Sequence, residues 1–215
     1  MTDKPLRIDI VSDVMCPWCI IGYRQLARAL EETGTLHEIH WHPFELNPEM
    51  PPEGQNLREH IIEKYGSTPE QSERSRAQMT ELGAGLGFDF AFADDMRMHN
   101  TFAAHQLLHW AGEQGRRHEL KIALFAAHFT HRCNLSDPEV LADIAAETGL
   151  DRAEAVVVLT DGRFAETVRE HEGFWLRQGV RGVPTVVIDS EHLLTGAQGT
   201  ESYIRIFQHL SKNKF

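Results

Sequence analysis

Cys16 and Cys19 flank a proline and a tryptophan in the run Cys16-Pro17-Trp18-Cys19, and two thiols at that spacing can carry out disulfide exchange. The reaction needs one thiolate that attacks a disulfide and a second thiol close enough to displace the resulting mixed disulfide. A helix start meets both needs. Its free N–H groups and positive dipole end favour an anion on the first cysteine, lowering a pKa that is otherwise about 8.5, while the second cysteine lies one turn on and faces the interior. Cys16 is therefore the expected nucleophile and Cys19 the resolving thiol. Trp18 brings bulk and no cation, so the lowering at Cys16 is expected to be smaller than a histidine there would give.

The neighbouring residues supply that helix start. Residues 6–14 read as a buried strand from Ile8, Ile10, Val11 and Val14. Pro17 then sits in a first helical turn, where a missing N–H costs nothing. Cys19, Tyr23, Leu26 and Leu30 recur at helical spacing up to Gly34, and residues 38–44 read as a second strand. Strand, helix, strand in that order implies a parallel pair with a crossover helix.

A long helical section follows. Thr68-Pro69-Glu70-Gln71, Asn100, Ser136-Asp137-Pro138-Glu139 and Asp151 with Glu154 mark helix starts, and Leu120, Leu124 and Ala127 trace a further helix. Phe164, Val168, His171 and Trp175 trace the last of the section. Strand character returns at 185–188, Asp189-Ser190 can turn, and 192–195 can pair back before a closing helix through Tyr203, Ile206, Phe207 and Leu210. The fold class is α/β. A sheet-bearing unit made of residues 1–47 and 180–215 is interrupted by an all-helical insertion over 48–179.

Gly182-Val183-Pro184-Thr185 leads into the returning strand, and a proline there suits a cis bond that exposes neighbouring backbone. Zinc competes for the cysteines, but it wants about four ligands. No second close pair exists, and His128, His131 and Cys133 would have to be recruited from the insertion. Cys133 alone reads as a thiol without a role. Strand alternation puts His40 and His42 on one face and His37 on the other, so at most two of these three could converge. Asp13 could take a proton from Cys19, although a solvated strand end is the simpler reading. Asn100 and His105 read either as a helix cap and a core histidine or as cleft-lining residues. Trp41, Trp110, Phe164 and Trp175 read as packing.

Bulk properties narrow the partners. Lys+Arg 21 against Asp+Glu 32 gives a formal net charge of -11, which repels a phosphate backbone and argues against nucleic acid. No apolar run approaches the roughly 18 residues of a membrane span, and the first seven residues lack the pattern of a secretory signal. The cytoplasm is the expected location.

The chain resembles the DsbA-like thioredoxin superfamily, and within it the FrnE-like branch of cytoplasmic oxidoreductases. Five ordered segments carry the likeness: Ser12-Asp13-Val14-Met15-Cys16-Pro17-Trp18-Cys19 with Gly22; Pro43-Phe44-Glu45-Leu46-Asn47-Pro48 with Gly54; Asn100-Thr101-Phe102-Ala103-Ala104-His105; Gly182-Val183-Pro184-Thr185; and Gly196-Ala197-Gln198. The resemblance implies a thioredoxin fold with an inserted helical domain, a redox-active Cys16–Cys19 pair with Pro17 and Trp18 in the active-site loop, and a cis Pro184 beside it. It also implies that Val183 offers backbone groups to an extended substrate. The expected partners are proteins or small molecules bearing disulfides or thiols. No cofactor or metal is called for beyond glutathione as a candidate co-substrate, and the insertion could shape a substrate groove or a homodimer surface. Relatives that act as glutathione-dependent isomerases or kappa-class transferases form the alternative, and possession of both cysteines argues against it.

Overall fold

β1 (Leu6–Ser12) is nearly all buried, as a central strand must be: Leu6, Ile8 and Ile10 line one face, and Asp9 and Val11 lie on the other with the exposed Arg7. The chain then turns into α1 (Pro17–Thr33), with Pro17 at its start and Gly34 at φ 60° closing it. β2 (His37–Pro43) follows, then β3 (Gln55–Asn56), α2 (Leu57–Tyr65), α3 (Pro69–Gly85) and β4 (Arg97–Met98). Five helices come next: α4 (Phe102–Glu113), α5 (Arg117–Phe129), α6 (Pro138–Glu147), α7 (Arg152–Asp161) and α8 (Ala165–Arg177). β5 (Thr185–Ile188), β6 (His192–Thr195) and α9 (Thr200–Lys212) end the chain. The structure is a computed structural model that describes residues 4–212. Residues 1–3, part of the N-terminal segment read above, and residues 213–215 lie outside the described residues.

The main sheet has the order β2-β1-β5-β6. β1 pairs parallel with β2, from Leu6 opposite His37 to Ser12 opposite Pro43, and antiparallel with β5, from Ile8 opposite Ile188 to Val11 opposite Thr185. The second register matters for chemistry. It brings the start of β5, and Pro184 just before it, to the sheet end where β1 hands over to α1. Asp189 and Ser190 make the β5–β6 turn with φ of 49° and 62°, the left-handed pair that a tight hairpin requires.

α1 and α9 cover one side of the sheet through Leu26, Ala29, Leu30, Tyr203 and Phe207. Trp175 of α8 packs with Val11 and Val180 in a smaller cluster. The inserted helices have their own core, in which Leu107, Leu120, Leu124 and Leu141 are fully buried, and Val14 and Met15 reach into it. Cys16 and Cys19 belong instead to the sheet's cluster. The turn between β1 and α1 thus joins the two cores.

Two features of the insertion are short enough to leave little pattern in the sequence. α2 is started by Asn56, whose side chain accepts from the N–H groups of Arg58 and Glu59, and β3 pairs antiparallel with β4 in a two-residue ladder.

Candidate active site

Cys16 is the N-cap residue of α1, with extended backbone and no side-chain capping bond. Its N–H donates to Asp13 O at 3.2 Å, and its carbonyl accepts from Cys19 N–H at 3.0 Å, so the first turn of helix winds the two cysteines onto one side. Both are free thiols, 4% and 0% exposed respectively. Cys16 Sγ donates to Val183 O at 3.6 Å, and the Val183–Pro184 peptide bond is cis.

The charges around the pair come from three elements. Asp13 is buried in the turn, where its carboxylate accepts from Met15 N–H at 3.2 Å and Leu46 N–H at 2.7 Å, with His105 Nε2 at 3.7 Å. Burial pushes its carboxyl up, but His105, the Leu46 N–H and the cation of Lys121 outweigh burial and hold it below the usual range. Lys121, from α5, is 1% exposed and donates to Ser12 O at 3.2 Å. Burial pulls its pKa down to about 8 against the opposing pull of Cys19, Asp13 and Cys16.

The Cys16 thiol answers to this setting. The Cys19 sulfur as hydrogen-bond partner, burial and the Asp13 carboxylate push it well above its ordinary range. The lowering expected from the helix start is therefore outweighed in this dithiol form, because a buried thiolate must form beside a second sulfur and an existing anion. Lys121 is the nearby cation that can offset that cost.

A cavity of about 380 Å³ opens beside Cys16. Cys16, Pro17, Trp18 and Val183 line one side of it, and α2 and α3 contribute Leu57, Ile61, Arg76 and Met79. The active-site loop residues and Val183 thus meet in one place.

Asn100 and His105 do not line this cavity. Asn100 Oδ1 accepts from Phe102 N–H at 2.9 Å and starts α4, while His105 Nε2 shares a hydrogen bond with Phe44 O at 3.1 Å and holds the segment after β2. Asp13, for which solvent was the simpler reading, is buried because that segment folds over it and donates Leu46 N–H. His42 pairs with Asp9 at 2.7 Å and His37 is exposed. Among the described residues, no three His, Cys, Asp or Glu side chains are placed to hold a metal ion, and no helix is long and apolar enough to cross a membrane. Lys121, His128 and Arg76 are site residues that the sequence reading missed. A lysine or arginine on a helix reads as solvated, and His128 entered only as a zinc candidate.

A parallel β-α-β unit, an antiparallel β-β-α unit and a helical insertion between them define a thioredoxin-like fold with two cysteines at the start of its first helix. The family model of the DSBA-like thioredoxin domain matches residues 7–207, and the chain belongs to that family. A probable DsbA oxidoreductase from Streptomyces coelicolor, SCO1869, is 30% identical, superimposes with a TM-score of 0.86, and shares 95% of this chain and 89% of its own. The Bacillus subtilis (strain 168) protein YwbO, itself uncharacterized, is 24% identical over 97% of this chain and 99% of its own. A likeness of fold alone extends to the cytosolic disulfide reductase DsbM of Pseudomonas aeruginosa, solved with GSH, at 15% identity, a TM-score of 0.64, and coverage of 96% and 99%.

Proposed function

We propose that the protein exchanges disulfides with protein or low-molecular-weight thiols through Cys16, with Cys19 resolving the mixed disulfide. The observation that carries this reading is the position of Cys16. Cys16 is the N-cap residue of α1 and borders the cavity, and its sulfur lies 3.6 Å from Val183 O, with Cys19 one turn behind it.

In the reducing direction the Cys16 thiolate attacks one sulfur of a substrate disulfide, forming a Cys16–substrate disulfide and expelling the other sulfur as a thiolate. Cys19, on losing its proton, attacks Cys16 Sγ. The second substrate sulfur leaves, and a Cys16–Cys19 disulfide remains. Two electrons pass from the protein to the substrate, and the two cysteine protons end on the two product thiols. The oxidising direction is the reverse. Val183, next to the reacting sulfur, would pair its backbone with an extended substrate.

The same reading places the chain in the FrnE-like branch, on the strength of the five ordered segments, and in the cytoplasm, where DsbM, with the same fold, is found. It takes glutathione as the candidate co-substrate, the helical insertion over 48–179 as the substrate-facing domain, and the exposed insertion as a candidate homodimer surface.

Insulin reduction and disulfide-coupled refolding test the exchange chemistry. Cys16→Ser is expected to abolish both, and Cys19→Ser to accumulate a mixed disulfide detectable by intact mass. Activity of Cys16→Ser equal to the parent's would overturn the reading.

A further inference from the structure

The cavity beside Cys16 is walled mainly by apolar side chains, among them Met15, Leu57, Ile61, Met79 and Phe129. Its volume lies toward the small end of the about 300–1,000 Å³ usual for small-ligand pockets. Two of the polar side chains in that lining carry buried nitrogens that are poorly satisfied within the protein. His128, on α5, is 1% exposed, and neither ring nitrogen makes a well-formed hydrogen bond among the described residues, the Cys133 backbone being at most a weak partner. Burial, and then the neighbouring His99, push its pKa down to about 3, so the ring is neutral at physiological pH and presents one N–H. Arg76, on α3, has a side chain only 14% exposed and a buried Nε–H without an acceptor. Its one carboxylate neighbour, Asp94, stands off at 3.8 Å, is itself 79% exposed, and is taken at 2.5 Å by Arg58.

Buried donors left without acceptors are costly and rare in folded proteins. Here both lie in the wall of a cavity that Cys16 also lines. A ligand that satisfies them must bring acceptor oxygens, and a cation that is poorly matched by protein favours an anionic acceptor. The remaining wall selects an apolar body, and Cys16 selects a sulfur. We propose that this cavity binds a low-molecular-weight organic disulfide or dithiol with an apolar body and a carboxylate, the carboxylate held by Arg76 with the His128 N–H as second donor. The assignment rests on the exchange reading above and narrows its substrate class from thiols in general to small amphiphilic acids.

Lipoate represents that class: a disulfide on an aliphatic chain that ends in a carboxylate. Lipoamide is the same molecule with a neutral end. In the test reaction one thiolate of dihydrolipoate attacks Cys16 Sγ of the oxidised protein, and Cys19 leaves as a thiol. The second ligand thiol then attacks the ligand sulfur of the mixed disulfide, releasing Cys16 and closing the lipoate ring. Two electrons and two protons move from ligand to protein.

The full-length protein is oxidised to the Cys16–Cys19 disulfide, and its single-turnover reduction by dihydrolipoate, dihydrolipoamide and dithiothreitol is followed in acid-quenched samples. Dihydrolipoate is expected to react with saturation and roughly tenfold more efficiently than dihydrolipoamide, the scale of a charge-assisted hydrogen bond. Arg76→Gln should erase that preference by slowing dihydrolipoate alone, Arg76→Lys should keep most of it, and His128→Phe should slow dihydrolipoate severalfold. Dithiothreitol, which has no carboxylate, supplies the reference rate against which each variant's dihydrolipoate rate is normalised, and far-UV circular dichroism with thermal unfolding certifies that each variant is folded. Equal efficiencies for dihydrolipoate and its amide with the parent would overturn the carboxylate assignment. A preference that survives Arg76→Gln, or a His128→Phe variant as fast as the parent, would overturn the roles given to those residues. Failure of the parent to form the disulfide, or of dithiothreitol to reduce it, would instead remove the exchange reading itself.

Discussion

Lys121 Nζ donates to Ser12 O at 3.2 Å, which fixes a fully buried ammonium against the last residue of β1, four positions before Cys16. The rings of Phe125 and Trp41, with centroids 5.1 and 5.6 Å from Nζ, give the cation aromatic faces in place of water. Asp13 leaves the same turn as a buried anion. The cysteines therefore sit beside one buried charge of each sign. A thiolate formed there is opposed by Asp13 and favoured by Lys121.

That arrangement makes the protein's alkaline stability informative. Lys121 has a folded pKa of about 8 against the ordinary 10.5, so between those values the unfolded chain binds a proton that the folded chain does not. Stability contributed through Lys121 therefore rises with pH across that window and is flat below it, which is the sign expected for a buried, penalised cation. Chemical denaturation from pH 7 to 10.5 should show the parent gaining on Lys121→Met by roughly 3 kcal/mol, at about 1.4 kcal/mol per pKa unit. The same substitution should raise the pH at which Cys16 becomes reactive to iodoacetamide. A difference curve flat with pH would show that Lys121 is not penalised by burial.

The parts of the molecule that follow from chain-local rules were legible in the sequence. Pro17 and Gly34 bracket α1, Asp137 and Asp151 cap their helices as their spacing predicts, and Asp189-Ser190 turns. The thiol pair was legible for the same reason. What escaped depends on distant segments meeting. Lys121 stands three, four and seven positions before Leu124, Phe125 and His128, all buried on the same helix, but its charge disguised it as a surface residue. Asp13 is dry only because Leu46 N–H comes from beyond β2 to bind it. α2, which walls the cavity, has only a short apolar run in Leu57, Ile61 and Tyr65, bracketed by Asn56 as N-cap and Gly66 at φ 63°.

Gly22, one turn beyond Cys19 in α1, lies against the loop that carries Val183. A Cβ at this position would stand 3.2 Å from Pro184 Cγ, tighter than side chains normally accept, and 3.5 Å from Ala197 Cα, an ordinary contact. Gly22→Ala should push Pro184 by a few tenths of an ångström and lift Val183 O away from Cys16 Sγ. The expected result is a loss of exchange rate of roughly tenfold with only about 1–3 kcal/mol of lost stability, the usual cost of overpacking. Insulin reduction alongside thermal unfolding measures both. An unchanged rate would mean that the position of Val183 does not govern the reaction.

Asp9, buried in β1, ties the sheet to acid stability. It accepts from Arg7 Nη2 at 2.8 Å and pairs with His42 Nε2 at 2.7 Å on the neighbouring strand. Burial pushes its carboxyl up, but His42 and Arg7 outweigh burial and hold it far below the ordinary 3.8. Because the folded pKa is the lower one, the stabilisation is complete above about pH 4 and disappears as pH falls through the folded value. Arg7 is half exposed, so water screens its share and His42 is the stronger partner. Asp9→Asn should cost roughly 1–3 kcal/mol at pH 7. The variant should also lose less further stability than the parent between pH 5 and 2, as followed by urea unfolding. Parallel curves for the two proteins over that range would show that the pair does not carry the acid transition.

Tyr203, on α9, has no exposed surface, and its hydroxyl finds no partner among the described residues. Its ring stacks near Phe207, with centroids 6.3 Å apart, in the cluster that joins α9 to α1. An unpaired buried hydroxyl is a desolvation cost with no return, whereas the ring itself contributes the packing. Removing only the oxygen should therefore help. Tyr203→Phe is expected to raise the stability by about 1 kcal/mol and to leave exchange activity unchanged, since no α9 residue lines the cavity. Thermal and urea unfolding decide the matter, and a variant less stable than the parent would show that the hydroxyl is bound, by an ordered water or otherwise.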